Sequence, residues 1–169
     1  MFDRIVAVVD HDPILLSELD RATHPFLVVM EAQIPDATKR EEARLGIFKE
    51  TLDKLIDRRL VERAALKKGM RVSETEIDQG IESIAKQNNI TTAAVSAEVA
   101  RTGMTEKEYR AEIAYQVLEG RMVFLLVQGK IDTSDPAPSA RETAQKKLAK
   151  IRNEWIAKLR AEAFIEVRM

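Results

Sequence analysis

The chain has 169 residues, 45% of them apolar, so it can bury one core without metal or disulfide support and is too short for two full-sized domains. Its formal net charge of −1 argues against a nucleic-acid-binding surface, and the absence of cysteine excludes thiol catalysis, disulfides and thiolate metal sites. Aromatic residues make up only 5%, and glycine and proline number 6 and 5, which disfavours turn-rich sandwiches and barrels. The composition predicts a mainly α fold.

The N-terminal residues predict a small β-hairpin. Residues 4–9, RIVAVV, are a β-branched apolar run, the cluster DHDP at 10–13 is typical of a turn, and residues 14–16 return as a second strand. The DHD triplet has residue types that bind metals, but the sequence shows no third ligand that would converge with them, and Asp is common in turns. We therefore predict no metal site. The segment is too acidic for a secretion signal, so the signal of an exported protein would be absent from this chain.

Two helices are predicted next. Ser17 can cap a helix that Pro25 kinks or divides and that cannot continue past Pro35. Thr38 opens the longest helical segment, in which apolar residues recur at steps of three and four until Gly69 provides a C-terminal stop.

Capping patterns mark the starts of the following helices. Residues 73–76 and 105–108 each fit a capping box, and Thr91 or Thr92 can cap a shorter helix between them. The amides at 87–89 interrupt the apolar stripe of the first of these helices. Because amide side chains bond neighbouring backbone groups, we interpret this cluster as a helix stop rather than a site of chemistry.

The C-terminal third contains an apolar segment, a linker, a basic helix and a strand. Residues 122–127, MVFLLV, are apolar on every side of a helix, so we expect protein to surround them, either their own chain or a second one. A linker-like stretch at 131–138 precedes a helix that starts with a third predicted capping box, Ser139 with Glu142. The last residues alternate apolar and polar, which fits a strand that pairs with the N-terminal hairpin.

Charge is uneven along the chain. Acidic residues outnumber basic ones between 73 and 119, and the balance inverts between 141 and 160. We favour an acidic face packed beside a basic helix over a polyanion-binding site.

No set of side chains predicts catalysis. The sequence has no nucleophile elbow and no phosphate-binding glycine loop, and His11 and His24 are its only imidazoles. Glu106 and Glu108 are two residues apart and therefore lie on different faces of a helix. We predict that the chain is not an enzyme and uses no cofactor.

Residues 84–91, IAKQNNIT, preceded by VSETEIDQGI and followed by Gly103 and Tyr109, resemble the N-terminal region of the periplasmic chaperone SurA family. The C-terminal WIAKLRAEAFIEVRM is similar to that family's C-terminal helix and strand. The resemblance implies one compact multi-helix chaperone core over 1–169, with a small β-sheet formed by the N-terminal hairpin and the C-terminal strand. It comprises an N-terminal region at 4–130, the linker at 131–138, and the C-terminal helix and strand at 139–169.

SurA-like proteins carry one or two parvulin-type prolyl isomerase domains between these regions, whereas here only KIDTSDPAPSARE separates them. The resemblance therefore implies an ATP-independent periplasmic holdase that binds unfolded outer-membrane proteins, without isomerase activity. We expect no nucleic-acid partner and no direct insertion into a membrane.

Clients of this kind would bind to apolar clefts and through backbone hydrogen bonds. The predicted client-binding residues are Phe26, Met30, Met122, Phe124 and Leu125. Methionine and aromatic side chains suit surfaces that accept many apolar partners, although each of these residues can equally belong to an ordinary core. The alternative function is a helical oligomerisation or structural module whose 122–127 segment is buried between subunits, and a homodimer is compatible with either function.

Overall fold

The computed structural model describes residues 3–128 and 138–168, with side chains in the last helix from residue 142 onward. The described residues form a mainly α structure with a small three-stranded sheet, as predicted. In chain order the elements are β1 (Ile5–Val9), β2 (Asp12–Leu15), α1 (Leu16–Gln33), α2 (Ala37–Lys67), α3 (Glu74–Gln87), α4 (Thr92–Arg101), α5 (Glu106–Val127), α6 (Pro138–Glu162) and β3 (Ile165–Val167).

The sheet joins the two ends of the chain. Its strand order is β2-β1-β3, and both neighbouring pairs are antiparallel. The Asp10 N–H donates to the Phe164 carbonyl at 2.7 Å, and the Arg168 N–H donates to the Val6 carbonyl at 2.8 Å. Asp10 turns the hairpin with a φ of 54°, a left-handed conformation that Asp tolerates. The predicted pairing of the last strand with the hairpin is confirmed.

Two compact units divide the chain. The first contains Met1–Leu60 and Glu162–Met169, and the second contains Val61–Ala161. The sheet, α1 and most of α2 belong to the first unit, whereas α3, α4 and α5 belong to the second. The single chaperone core over 1–169 stays a prediction.

Helix α1 differs from its prediction at its start. Ser17 is not the N-cap, because the helix begins at Leu16 directly after β2, and the Ser17 hydroxyl donates to the Asp3 carboxylate instead. Pro25 does not divide the helix, which continues to Gln33. Inside it, the buried Thr23 hydroxyl donates to the carbonyls of Leu19 and Asp20, each at 3.0 Å, so this polar group is satisfied locally.

Helix α2 begins at Ala37, one residue before the predicted start at Thr38. The Asp36 carboxylate accepts a hydrogen bond from the Lys39 N–H at 2.9 Å. The predicted stop at Gly69 is confirmed, with a φ of 70° at this glycine. The Met70 N–H donates to the Ala65 carbonyl at 3.0 Å, which is a helix-ending bond of the Schellman type.

The predicted caps of α3, α4 and α5 are confirmed. Both capping boxes form, from Ser73 with Glu76 and from Thr105 with Glu108. At the start of α4, the Thr91 hydroxyl accepts from the Ala94 N–H at 3.1 Å, so Thr91 rather than Thr92 is the cap. These caps satisfy N–H groups that the first turn of a helix leaves free.

The amide cluster ends α3, as predicted. Asn88 is the C-cap, and its side-chain nitrogen donates to the Ile84 carbonyl at 2.8 Å. Asn89 follows with a φ of 54°, and the Ile90 N–H closes the turn on the Ala85 carbonyl at 3.0 Å. The cluster therefore turns the chain after α3 in the geometry that Gly69 provides after α2.

Helices α3 and α5 approach each other closely at Gly80. A Cβ added at this glycine would lie 2.7 Å from Cγ2 of Ile113, whose side chain is buried. The small residue is therefore required by packing inside the second unit.

Two sequence predictions fall on residues outside the described set. The linker at 131–138 lies there except for Pro138, at which α6 begins, and the side chain of Ser139 lies there as well, so its capping box stays a prediction. Among the described helices, none is long and apolar enough to cross a membrane.

Candidate functional site

An open surface groove of about 480 Å³ lies in the second unit, a volume within the range of small-ligand pockets. Helix α5 supplies most of the lining residues. They lie three, four, seven and eight positions after Val117, so they share one face of the helix. The turn after α2 supplies the remaining lining residue. The lining residues are Met70, Val117, Gly120, Arg121, Phe124 and Leu125.

The apolar segment at 122–127 is split between core and surface. Met122 and Val123 are buried, whereas Phe124 is 64% exposed and Leu125 is 46% exposed. The expectation that protein covers the whole segment is therefore not met by the part of the chain that the structure describes. The exposed pair gives the groove an apolar rim, which a partner could desolvate.

Arg121 fixes the polar side of the groove. Its guanidinium donates to the Arg71 carbonyl at 3.0 Å and to the Glu76 carboxylate, so α5 is held to the turn after α2 and to the start of α3. The positive charge is thereby matched within the protein. The groove consequently presents an apolar surface with a neutralised edge.

The Glu76 carboxylate takes part in both the cap of α3 and the contact with Arg121. Its Oε2 accepts from the Ser73 N–H at 2.8 Å, and its Oε1 accepts from Arg121. Hydrogen bonds from the backbone and side chain of Ser73, followed by that from Arg121, lower the pKa of Glu76 below its ordinary value of 4.5. The ionised carboxylate is the form that holds both the α3 cap and the groove edge.

The five predicted client-binding residues occupy different environments. Phe124 and Leu125 line the groove in the second unit. In the first unit, Phe26 is exposed on α1, with the Lys54 ammonium 5.7 Å from its ring centroid. Met30 and Met122 are buried. The structure therefore brings two of the five together at one surface and keeps two in the core.

Four groove residues escaped the sequence analysis: Met70, Val117, Gly120 and Arg121. The α5 members have a local signal, because their spacing from Val117 marks one helix face. Met70 has no such local sequence signal, since about fifty positions separate it from its neighbours in the groove and only folding brings them together.

A second depression, of about 440 Å³, lies near the starts of α3 and α5 and has charged walls. Arg110 bridges two acidic residues of α3, reaching Glu74 at 2.5 Å and Asp78 at 2.8 Å. These bonds raise the pKa of Arg110 above its ordinary value. Two of the charged side chains that line the depression, Glu74 and Arg110, are bound to each other, and we assign this ion pair a structural role.

One side chain of the DHD triplet has a structural role. Asp10 of the DHD triplet accepts a hydrogen bond from the Phe164 N–H at 2.8 Å. Among the residues that the structure describes, no three histidine or acidic side chains converge as a metal site would require. Arg152 of the basic helix contacts Glu119 of the acidic segment at 2.5 Å, so an ion pair joins the two oppositely charged parts of the chain.

Comparison with known proteins gives consistent similarities. The SurA N-terminal domain family matches residues 2–123. Chaperone SurA of Cupriavidus pinatubonensis is 34% identical over 136 residues, which are 80% of this chain and 26% of that protein. Chaperone SurA of Xanthomonas oryzae pv. oryzae is 33% identical over 138 residues, which are 79% of this chain and 28% of that protein.

A third relative, Chaperone SurA of Ralstonia nicotianae, is 29% identical over 136 residues, again 80% of this chain and 26% of that protein. The chain thus spans about a quarter of the length of these relatives. The family match covers the helices that build the groove as far as Val123, and more than half of the sequence. The chain belongs to the SurA N-terminal domain family.

Proposed function

We propose that this protein is an ATP-independent periplasmic chaperone of the holdase type, which binds unfolded outer-membrane proteins and delays their aggregation. Family membership and relatives named as chaperones support this proposal. The observation that carries it is the apolar groove on α5, at which Phe124 and Leu125 remain exposed. Exposed apolar surface of this kind is typical of sites that bind other polypeptides.

Client contact is assigned to the exposed members of the predicted set. Phe124 and Leu125 would pack against apolar client side chains in the groove, and Phe26 would offer a separate contact on α1. Met30 and Met122 are buried and would support these surfaces from beneath. Contacts between apolar side chains have no fixed direction, so a site built from them accepts clients of varied sequence.

We propose that the chain has no prolyl isomerase activity. The support for this is that the matched residues belong to the chaperone region of the SurA resemblance, and that the groove is lined by apolar side chains and one ion-paired arginine. The proposed activity is therefore binding alone.

Aggregation of a denatured outer-membrane barrel, followed by light scattering without ATP, tests the function. We expect the full chain to suppress scattering at near-stoichiometric ratio, because each bound client buries its apolar segments. A proline-peptide isomerisation assay on the same preparation should give the uncatalysed rate. No suppression would refute the chaperone, and a rate above background would refute the absence of isomerase activity.

The second candidate is a helical oligomerisation module, and the exposure of Phe124 and Leu125 favours it, because a second copy could cover them. Sedimentation velocity at micromolar concentration distinguishes the two functions. A dimer without holdase activity would support the second candidate, and a monomer would remove it. A dimer that suppresses aggregation would be compatible with both, since an interface can shelter the surface that a client uses.

A further inference from the structure

Gly80 and Gly120 are both helical glycines of the second unit, and their surroundings differ. At Gly80 an added Cβ would lie 2.7 Å from Ile113, so packing between α3 and α5 explains the missing side chain. At Gly120, in α5, no atom of the described residues lies within 4 Å of an added Cβ, apart from its two chain neighbours and the nearby backbone of its own helix. Internal packing among these residues therefore gives no reason for glycine at position 120.

Glycine is unfavourable inside a helix, because it loses more backbone freedom on folding than alanine does. At Gly120 this loss is accompanied by a gap in the groove wall. Val117 precedes Gly120 by three positions and Phe124 follows it by four, so apolar side chains stand on both sides of the gap on the same helix face. Because position 120 is exposed and has no side chain, the backbone of α5 is uncovered between these two residues, and we call this place the notch.

The notch has a defined chemistry. The backbone groups in its floor belong to the interior of a helix, where they bond along the helix axis and are not free for a ligand. Beside the notch, the Arg121 guanidinium is bound to Glu76 and to the Arg71 carbonyl. A ligand group in the notch would therefore find apolar walls and a neutralised charge, which suit an uncharged apolar group.

We propose that Gly120 determines the specificity of the groove by admitting one bulky apolar side chain of an unfolded polypeptide, of leucine or phenylalanine size, against the backbone of α5. This inference rests on the proposed function, since it concerns the groove assigned to client binding. The inference adds that the groove prefers a large client side chain because the protein itself has no side chain at position 120.

The test measures the anisotropy of fluorescein-labelled peptides, with a single guest residue in a Gly-Ser host, as the full chain is titrated in. For wild type, we expect the phenylalanine guest to bind about tenfold more tightly than the alanine guest, the discrimination typical of an apolar pocket. Gly120→Ala should narrow this ratio, and Gly120→Leu should abolish it by filling the notch.

Thermal stability separates this role from a structural one. Gly120→Ala should raise the Tm by about 2–4 °C while it weakens binding of the phenylalanine guest, because alanine favours the helix and obstructs the notch. Gly46→Ala in α2 is the matched control, since Gly46 is also helical and an added Cβ there meets no described atom within 4 Å. It should raise the Tm and leave peptide binding unchanged.

The outcomes separate the two proposals. Tight binding of the phenylalanine guest by Gly120→Leu, with the alanine guest still about tenfold weaker, would overturn the role of Gly120 and leave the chaperone intact. Wild type that neither binds any peptide in the titration nor suppresses aggregation in the light-scattering assay would overturn the proposed function.

Discussion

Arg121 of α5 donates a hydrogen bond to the Glu76 carboxylate, which also accepts one from the Ser73 N–H in the capping box of α3. One acidic side chain therefore stabilises the start of a helix and fixes the edge of the groove on its neighbour. The helix start is specified within four residues of sequence, whereas the contact with α5 joins residues that are 45 positions apart.

Acid should weaken this connection. The pKa of Glu76 is lowered by hydrogen bonds from Ser73 and then by Arg121, so its contribution to stability is complete above the ordinary glutamate value of 4.5 and is lost as the pH falls below it. Asp3, whose pKa is lowered chiefly by Ser17, adds to the same trend. We therefore expect the Tm of wild type to fall as the pH is lowered from about 5 to about 3.

Glu76→Gln should lower the Tm at neutral pH and reduce its fall in acid, because glutamine carries no charge to lose. Calorimetry at a series of pH values measures both effects. Glu98→Gln is the control, since it removes an exposed ion pair with Arg101, and such pairs contribute little to stability. An unchanged acid dependence in Glu76→Gln would contradict the assignment.

Gly80→Ala should destabilise the second unit. The new methyl group would lie 2.7 Å from Ile113 Cγ2, and overpacking of this kind costs about 1–3 kcal/mol, of which the better helix propensity of alanine restores about 1 kcal/mol. Urea denaturation measures the net change in the free energy of unfolding. Gly46→Ala should instead gain up to about 1 kcal/mol, and equal gains in both variants would show that α3 and α5 do not pack closely.

Asn89 should prove replaceable by glycine. Its φ of 54° lies in the left-handed region, where residues with a Cβ that lack a helpful polar group lose about 1–2 kcal/mol. Asn89→Ala should therefore destabilise the protein by about 1 kcal/mol, and Asn89→Gly should leave the free energy of unfolding unchanged or raise it. If Asn89→Gly folded normally but lost client binding, the amide would have a role beyond ending α3.

Phe124 should matter for client binding more than an equally exposed residue outside the groove. Phe124 is 64% exposed in the groove, and Leu45 is 65% exposed on α2. Phe124→Ser should raise the Kd for an unfolded client about fivefold or more, the effect expected of an aromatic contact at an interface, whereas Leu45→Ser should not. Fluorescence titration with a labelled client measures both, and similar values for the two variants would remove Phe124 from the site.

Some sequence predictions were wrong where tertiary structure overrode a local signal. Ser17 was expected to cap α1, but the helix starts directly after β2 and the hydroxyl bonds Asp3. Pro25 was expected to kink or divide the same helix, and it does not divide it: the helix continues to Gln33, with Leu19 and Met30 buried on either side of the proline. Packing of this kind commonly outweighs the propensity of one residue.

The sequence by itself determined the mainly α character, the capping boxes at Ser73 and Thr105, and the stops at Gly69 and Asn89. These features are local, because a cap or a left-handed turn is formed by residues within one or two helical turns of one another. Tertiary structure alone decided which side chains of the 122–127 segment are buried, and it brought Met70 to the α5 residues that line the groove. The physical reason is that apolar side chains are interchangeable in a local pattern, and only contacts between distant parts of the chain determine which of them remain exposed.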